Sequence, residues 1–320
     1  MKYFTCLLSL FLATHTLEAN WESVQSEGEP VARHEAAFIE FEGKFYLLGG
    51  RGIRPVSIYS PEDNSWKQGT PPPVEVHHFQ PVVWEDRILL ICAFTGKWPK
   101  ETPLDKVLAY VPATDSWEWS HEIPADRRRA AAGVVHIGDK IYIAGGIING
   151  HIDGHVDWFD EYDPSTGTWS SLPNAPHKRD HFQAAFLDGK LYSAGGRLSS
   201  TAPNEGFLHV IPEVDVYDFQ SKTWSVLDKP LPTPRAGSFT LALHPDIIVA
   251  GGESASQVEA HAEVEAYNTQ TDTWSSLPDL IQGRHGTGMF LFGDHLYTCS
   301  GCGNRGGNPE LTTMERLKVK

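Results

Sequence analysis

The chain has 320 residues, 40% of them hydrophobic and ten of them Trp, enough for a sizeable core in one large domain or two ordinary ones. Its formal net charge of −15 argues against general binding to nucleic acid or to an anionic membrane, because neutralising phosphate needs a cationic surface.

The first twenty residues read MKYFTCLLSLFLATHTLEAN. Lys2 supplies a positive start, residues 4–13 form an apolar run too short to span a bilayer, and Ala19 precedes a plausible cleavage point, with Leu17 a less usual residue at −3. Residues 1–19 are therefore expected to be a signal peptide, and 20–320 an exported protein, secreted or periplasmic, with no membrane insertion. Cys6 falls within the signal, which leaves Cys92, Cys299 and Cys302. A Cys299–Cys302 disulfide and a metal-binding C-x2-C are both open, but with no second ligand pair small packed side chains are the favoured reading, and this is not a disulfide-built fold.

Next comes NWESV (20–24) with Trp21, and then HEAAFIEFEGKFYLLGG (34–50). That stretch reads as two strands hinged at Glu42 and Gly43 and ending in Gly49 and Gly50. Two more short strands follow, carrying Tyr59 and Trp66 with the turn-like SPEDNS between them. The unit then recurs along the chain. Small residues close the second strand at Cys92-Ala93, Gly145-Gly146, Gly195-Gly196, Gly251-Gly252 and Ser300-Gly301. Tyr110 and Trp117, Tyr162 and Trp169, Tyr217 and Trp224, and Tyr267 and Trp274 keep the same six-residue gap. The sixth unit offers MERLKVK as a third strand and no Trp strand. Trp21 supplies the missing piece if the N-terminal strand completes the C-terminal sheet, which also removes an exposed edge. No helical period of any length interrupts this pattern, so the fold is expected to be all-β.

Paired glycines, then Tyr, then Trp, repeated around a closed ring, resemble the kelch repeat over essentially all of 20–320. The resemblance implies a six-bladed β-propeller. It does not fix an activity, since kelch propellers include scaffolds, sugar-acid mutarotases and copper or iron enzymes. The Tyr/Trp ladder is assigned to packing between blades, with no chemistry.

In such blades the loop between strands two and three shares a face with the connection to the next blade, and the other two turns share the opposite face. The opposite face is short-turned and acidic. The first face has loops of very unequal length, the usual setting for binding sites. Counting sixteen residues back from each small pair gives Arg33, Val76, Arg129, Arg179, Arg235 and Arg284, and the next two columns hold His34, His77, His78, Asp180, His181 and His285. With the first strand innermost, these columns ring the mouth of the central channel. The Arg column also has a structural reading, each fork bonding carbonyls or a neighbouring carboxylate. The His column is irregular, and irregularity within a repeat points to function.

The loop INGHIDGHVDWFDEYD (148–163) adds His151, His155 and Trp158, and Trp98 and Arg305 lie in loops of the same face. The leading expectation is a pocket for a small anionic ligand, above all an acidic glycan. It is lined by Arg33, His34, His77, Trp98, Arg129, His151, His155, Trp158, Arg179, Arg235, Arg284, His285 and Arg305. The second expectation is an enzyme on acidic sugars, of mutarotase, epimerase or lyase type, with His181 paired to Asp180, or His78, as general base. The third is a protein-interaction scaffold. A monomer is expected.

No cofactor is assigned. The E-x3-D-x3-H pattern of iron-binding kelch enzymes is missing, since Glu101/Asp105 and Glu122/Asp126 are followed by Ala109 and Ala130 at the His position. No copper-radical site like that of galactose oxidase can be mapped. A metal held by His34, His78, His181 and His285 stays open.

Overall fold

Strand Ala36–Phe41 turns back at Glu42 and Gly43, both left-handed (φ 49° and 76°), and pairs antiparallel with Lys44–Gly49, from Ala36 opposite Gly49 to Phe41 opposite Lys44. Two consecutive positive φ values make the tight hairpin whose twist matches its strands. Ser57–Ser60 and Ser65–Gln68 complete a four-stranded meander, with Tyr59 directly opposite Trp66. The computed structural model describes residues 20–319; the expected signal peptide lies outside them.

The same sheet is built six times. Blade 2 runs from Pro81–Trp84 to Ser116–Glu122, blade 3 from Gly133–Ile137 to Thr168–Leu172, blade 4 from Gln183–Leu187 to Thr223–Val226, and blade 5 from Phe239–Leu243 to Thr273–Leu277. Blade 6 takes Met289–Phe292, His295–Cys299 and Met314–Lys318 from the C-terminal region and Glu22–Ser23 from the other end of the chain. Glu22 lies opposite Arg316 and Ser23 opposite Glu315, so the ring closes as the sequence implies. The innermost strands of successive blades touch all the way round. Among the described residues no helix is long and apolar enough to cross a membrane.

The hydrophobic core is a set of layers between blades. Tyr46, Leu48 and Ile58 of blade 1, for example, pack against Ile88, Leu90 and Tyr110 of blade 2. Each such side chain removed from water contributes about 1.5–3 kcal/mol. The ladder rings meet at centroid distances of 5.0–5.4 Å. Trp21, Trp117, Trp224 and Trp274 each donate their indole N–H to a loop carbonyl of the preceding blade, at Pro278, Thr70, Pro173 and Lys229. The Trp strand therefore pins neighbours together as well as filling space. Cys92, Cys299 and Cys302 are free thiols in the interior.

The repeated arginines have a structural use that accounts for the spacing of sixteen. Arg33, Arg129, Arg179, Arg235 and Arg284 each donate to the carbonyl sixteen residues on, at Gly49, Gly145, Gly195, Gly251 and Ser300. Four of them also meet a carboxylate of their own blade: Asp160, Asp215, Glu265 and Glu315. The second small residue turns its N–H to the next blade's Arg-column carbonyl, as Gly252 does to Arg284 (2.8 Å). A Cβ on Gly251 would lie 2.3 Å from that same carbonyl oxygen, which is why glycine stands there. Blade 2 has Val76 in place of Arg, and its small pair changes with it to Cys92 and Ala93.

Candidate functional site

Two residues after each Arg-column position the backbone enters the left-handed region: Glu35 (φ 54°), His78 (56°), Ala131 (55°), His181 (55°), Gly237 (62°) and Gly286 (64°). These residues form a hydrogen-bonded circle around the channel. His78 N–H donates to Glu35 O, Ala131 to His78, His181 to Ala131, Gly237 to His181 and Gly286 to Gly237, at 2.7–3.0 Å, and Ala36 N–H closes the circle on Gly286 O. Glycine meets this geometry without strain, and blades 5 and 6 use it. Blades 1 to 4 instead hold Glu, His, Ala and His there, residues for which the conformation is costly. Three of these four strained positions carry chemically active side chains around one opening.

Above the circle is a cavity of about 430 Å³, bounded by His34, Glu35, Arg51, His78, Trp98, His151, Arg197, Phe207 and Glu253 among others. Trp98 is 62% exposed and stands at its edge. Phe207, from the long blade 4 loop, packs under Arg197 and Arg305 (5.4 and 5.7 Å). The blade 3 hairpin Ile147–Asn149/Asp153–His155 leans on the blade 2 loop, where His151 N–H donates to Pro99 O (3.0 Å). This places the His151 ring 5.1 Å from His78 and 4.8 Å from His181.

Each of these three imidazoles is held from behind. His181 Nδ1 bonds Asp180, whose carboxylate also receives Ser199 Oγ (2.6 Å) and Ser199 N–H (3.1 Å). His151 Nδ1 lies 3.0 Å from Glu101 Oε1, which also accepts from Arg51 (2.7 Å). His78 Nδ1 lies 2.6 Å from Nδ1 of His77, whose Nε2 lies 3.0 Å from Gly96 O. Burial drives His77 down to about 4. Burial, then the charges of His181 and His77, puts His78 well below its ordinary range. Burial and Arg197 lower His181 against the pull of Asp180. These three rings are neutral at neutral pH. The acids go the other way. Burial opposes ionisation of Glu35 and Glu101, but His285 and His181 beside Glu35, and His151 and Arg51 beside Glu101, bring each to about 2. His285 and Arg197 similarly overcome burial to hold Glu253 low.

The sequence-predicted residues divide clearly. His34, Trp98 and His151 line the cavity with His78, and His181 lies just beneath in the channel. His34 bonds Glu310 (2.7 Å), and His285 sits between Glu35 and Glu253 at 3.6 and 3.3 Å. His77, His155 and Asp180 stand behind the lining. His155 Nε2 meets Ser199 O (2.9 Å) and Asp180 (3.3 Å). Trp158 packs on Arg127 and Arg129 (5.0 and 5.5 Å), and Arg305 bonds Ala255 O (3.2 Å); neither lines the cavity. The expectation that Arg33, Arg129, Arg179, Arg235 and Arg284 ring the mouth is corrected. All five are buried inside their blades with their forks on carbonyls, hydroxyls and carboxylates, and none lines the opening. The guanidiniums on the lining are Arg51 and Arg197, paired with Glu101 and Glu253 respectively. The proposed metal set His34, His78, His181, His285 does not converge as one group: His78 and His181 join His151, while His285 joins Glu35 and Glu253.

Sequence reasoning missed Glu35, Arg197, Glu253 and Phe207 as site residues. Arg51, Arg197 and Glu253 each directly follow a glycine pair, a column whose variation from blade to blade was the available signal.

Comparison with known proteins agrees with this architecture. A family description of the attractin/LZTR1 β-propeller matches residues 7–252, and a kelch motif matches 234–281. The chain is 27% identical over 283 residues to the Kelch-like protein terF of Aspergillus terreus, covering 82% of this chain and 59% of that protein. It is 28% identical over 281 residues to beta-scruin of Limulus polyphemus, covering 83% and 30%. It thus spans between about a third and three-fifths of the length of these relatives. The solved structure of YjhT superposes with a TM-score of 0.75 over 92% of this chain and 98% of that one, at 16% identity, a likeness of fold. With the matched repeats and the closed six-bladed ring, the chain belongs to the kelch-repeat β-propeller family.

Proposed function

We propose that the mouth of the ring binds a small carbohydrate carrying a carboxylate. The observation that carries this reading is the pairing of aromatic walls, Trp98 and Phe207, with a floor where Glu35 and His78 occupy strained positions that two other blades give to glycine. Aromatic faces suit the apolar side of a sugar ring, and paired imidazoles and carboxylates suit its hydroxyls. A cavity of about 430 Å³ is of the size that takes a small ligand. Arg51, partly exposed on the wall, is the group for a ligand carboxylate. The acidic character of the ligand therefore rests on one guanidinium and not on a ring of five. The test is calorimetric titration with sugar acids and their neutral counterparts. Saturable binding is expected, weakened at least about tenfold by Trp98→Ala, with the preference for the acid lost in Arg51→Gln. Equal, non-saturating heats for wild type and both variants would refute the reading.

Turnover is a second reading, favoured by one specific feature. His181 is neutral, oriented by Asp180 through Nδ1, and lines the channel with Nε2 beside His151, an arrangement that suits a general base. Mutarotation, epimerisation or elimination on a sugar acid all need such a base. Loss of anomer exchange or product formation in His181→Gln, with sugar binding retained, distinguishes catalysis from binding.

A further inference from the structure

The three imidazoles at the floor pose a problem of proton placement. Asp180 is a carboxylate bonded by His181 Nδ1, which therefore carries the proton that faces it. His77 donates Nε2–H to the Gly96 carbonyl, so its Nδ1 is an acceptor and the proton between the two rings belongs to His78 Nδ1. Nε2 of His78 and of His181 are then bare lone pairs, while His151 Nδ1, 3.0 Å from Glu101 Oε1, is buried without a hydrogen-bond partner. Nε2 of His151 and Nε2 of His181 lie 3.1 Å apart, and the ligand atoms of the trio all fall within 4.8 Å of one another. The ring planes cross at 64–79° in T-shaped contacts, so the ring faces do not stack. Without a metal this contact needs a proton on one of the two Nε2 atoms, and a cation between the rings would take that proton's place.

We propose that His78, His151 and His181 form a binding site for a divalent transition-metal ion of the zinc, cobalt or copper type. Zn–N bonds of about 2.0–2.1 Å in a tetrahedral set place neighbouring nitrogens about 3.3 Å apart, close to the separation seen. Neutral imidazole is the donor such ions favour over magnesium or calcium. The support behind each ring is that of a metal site, with a carboxylate or a further imidazole on Nδ1 fixing tautomer and orientation. The surroundings are anionic, with Glu35 Oε2 3.4 Å from His78 Nε2 and Glu101 Oε2 buried without a partner. Three protein nitrogens leave a position open towards the cavity that His78 and His151 line, the pattern of a metal that meets a ligand. This inference stands apart from the carbohydrate reading, since it needs no sugar.

The test uses the full folded chain, stripped with a chelator and titrated with Zn²⁺ and Co²⁺ by calorimetry, Co²⁺ absorption and elemental analysis. One ion per chain with tetrahedral-type Co²⁺ bands is expected, and affinity should fall at least about 100-fold in His151→Ala, which changes the turn of a two-stranded hairpin outside the blade sheets. The positioning variants Glu101→Gln and Asp180→Asn should retain the ion about 10–100-fold more weakly. His285→Ala, outside the trio, should leave affinity within about threefold; a large loss there would move the site to the Glu35–Glu253–His285 group and overturn the assignment. No stoichiometric binding, or binding unchanged in His151→Ala with circular dichroism intact, would also overturn it. Failure to bind sugar with the metal retained counts only against the carbohydrate reading.

Discussion

His181 carries two conflicting demands in one residue. Its backbone is left-handed (φ 55°), its N–H and C=O both belong to the circle that joins the blades, and its ring is fixed between Asp180 and His151. A Cβ in this conformation costs about 1–2 kcal/mol, which a glycine avoids. Replacement by glycine and by alanine should therefore invert their usual order. In urea denaturation His181→Gly is expected to be the more stable variant by about 1 kcal/mol, although both remove the imidazole. Alanine proving the more stable would mean that the backbone bears no strain there. The same comparison separates the strand-start arginines from the site residues. Arg235 lies two positions before a glycine and is enclosed by Gly251, Val249 and Glu265, so it supports the blade and has no donor to offer a ligand.

At the scale of the strand, the Tyr/Trp ladder makes the blades respond to alkali. Tyr59, Tyr110, Tyr162, Tyr217 and Tyr267 are all held above the ordinary tyrosine value of 10.0, first by burial, with Tyr162 pushed up to about 12. Tyr110 and Tyr267 also donate to Asp115 and Asp272 (2.7 Å each), a bond the phenolate could not make. Between the unfolded and folded values the native chain keeps protons that the unfolded chain has released, so stability falls as pH rises through that window. Ladder stabilisation should be complete below about pH 10 and lost progressively above it. Ultraviolet titration should show a tyrosine fraction ionising late, together with unfolding; complete ionisation near pH 10 without loss of the β signal would contradict this.

The ladder was legible in the sequence because its cause is local: Tyr and Trp sit opposite each other across one turn, so their spacing survives in each of blades 1 to 5. The Arg column was legible as a pattern but not as a location. Whether Arg129 points to the channel or into its blade depends on Asp160 and on the carbonyl of Gly145, neither of which is adjacent to it in the sequence. His78 and His181 were legible because they break a repeat. Glu35 and Glu253 were not, since acids are frequent in this chain and only ring closure brings them to His285.

Over the whole molecule, closure by Glu22–Ser23 covers the outer edge of Met314–Lys318 in blade 6 and fixes the mutual positions of groups as distant in sequence as Glu35 and Gly307. A site assembled from several blades inherits the rigidity of the circle beneath it, and its polarity differs from the rest of the molecule. Acids dominate the surface, whereas at the mouth they are ionised partners of imidazoles, and burial keeps His77, His78 and His181 neutral against that pull. That arrangement underlies the binding, proton-transfer and metal readings alike. It is tested most directly by a long-range ¹H–¹⁵N spectrum of the histidine rings in metal-free protein at neutral pH, assigned by single His→Gln variants. The account predicts that His78 and His181 are neutral Nδ1–H tautomers with bare Nε2 atoms. Nε2–H tautomers at these two positions would contradict it.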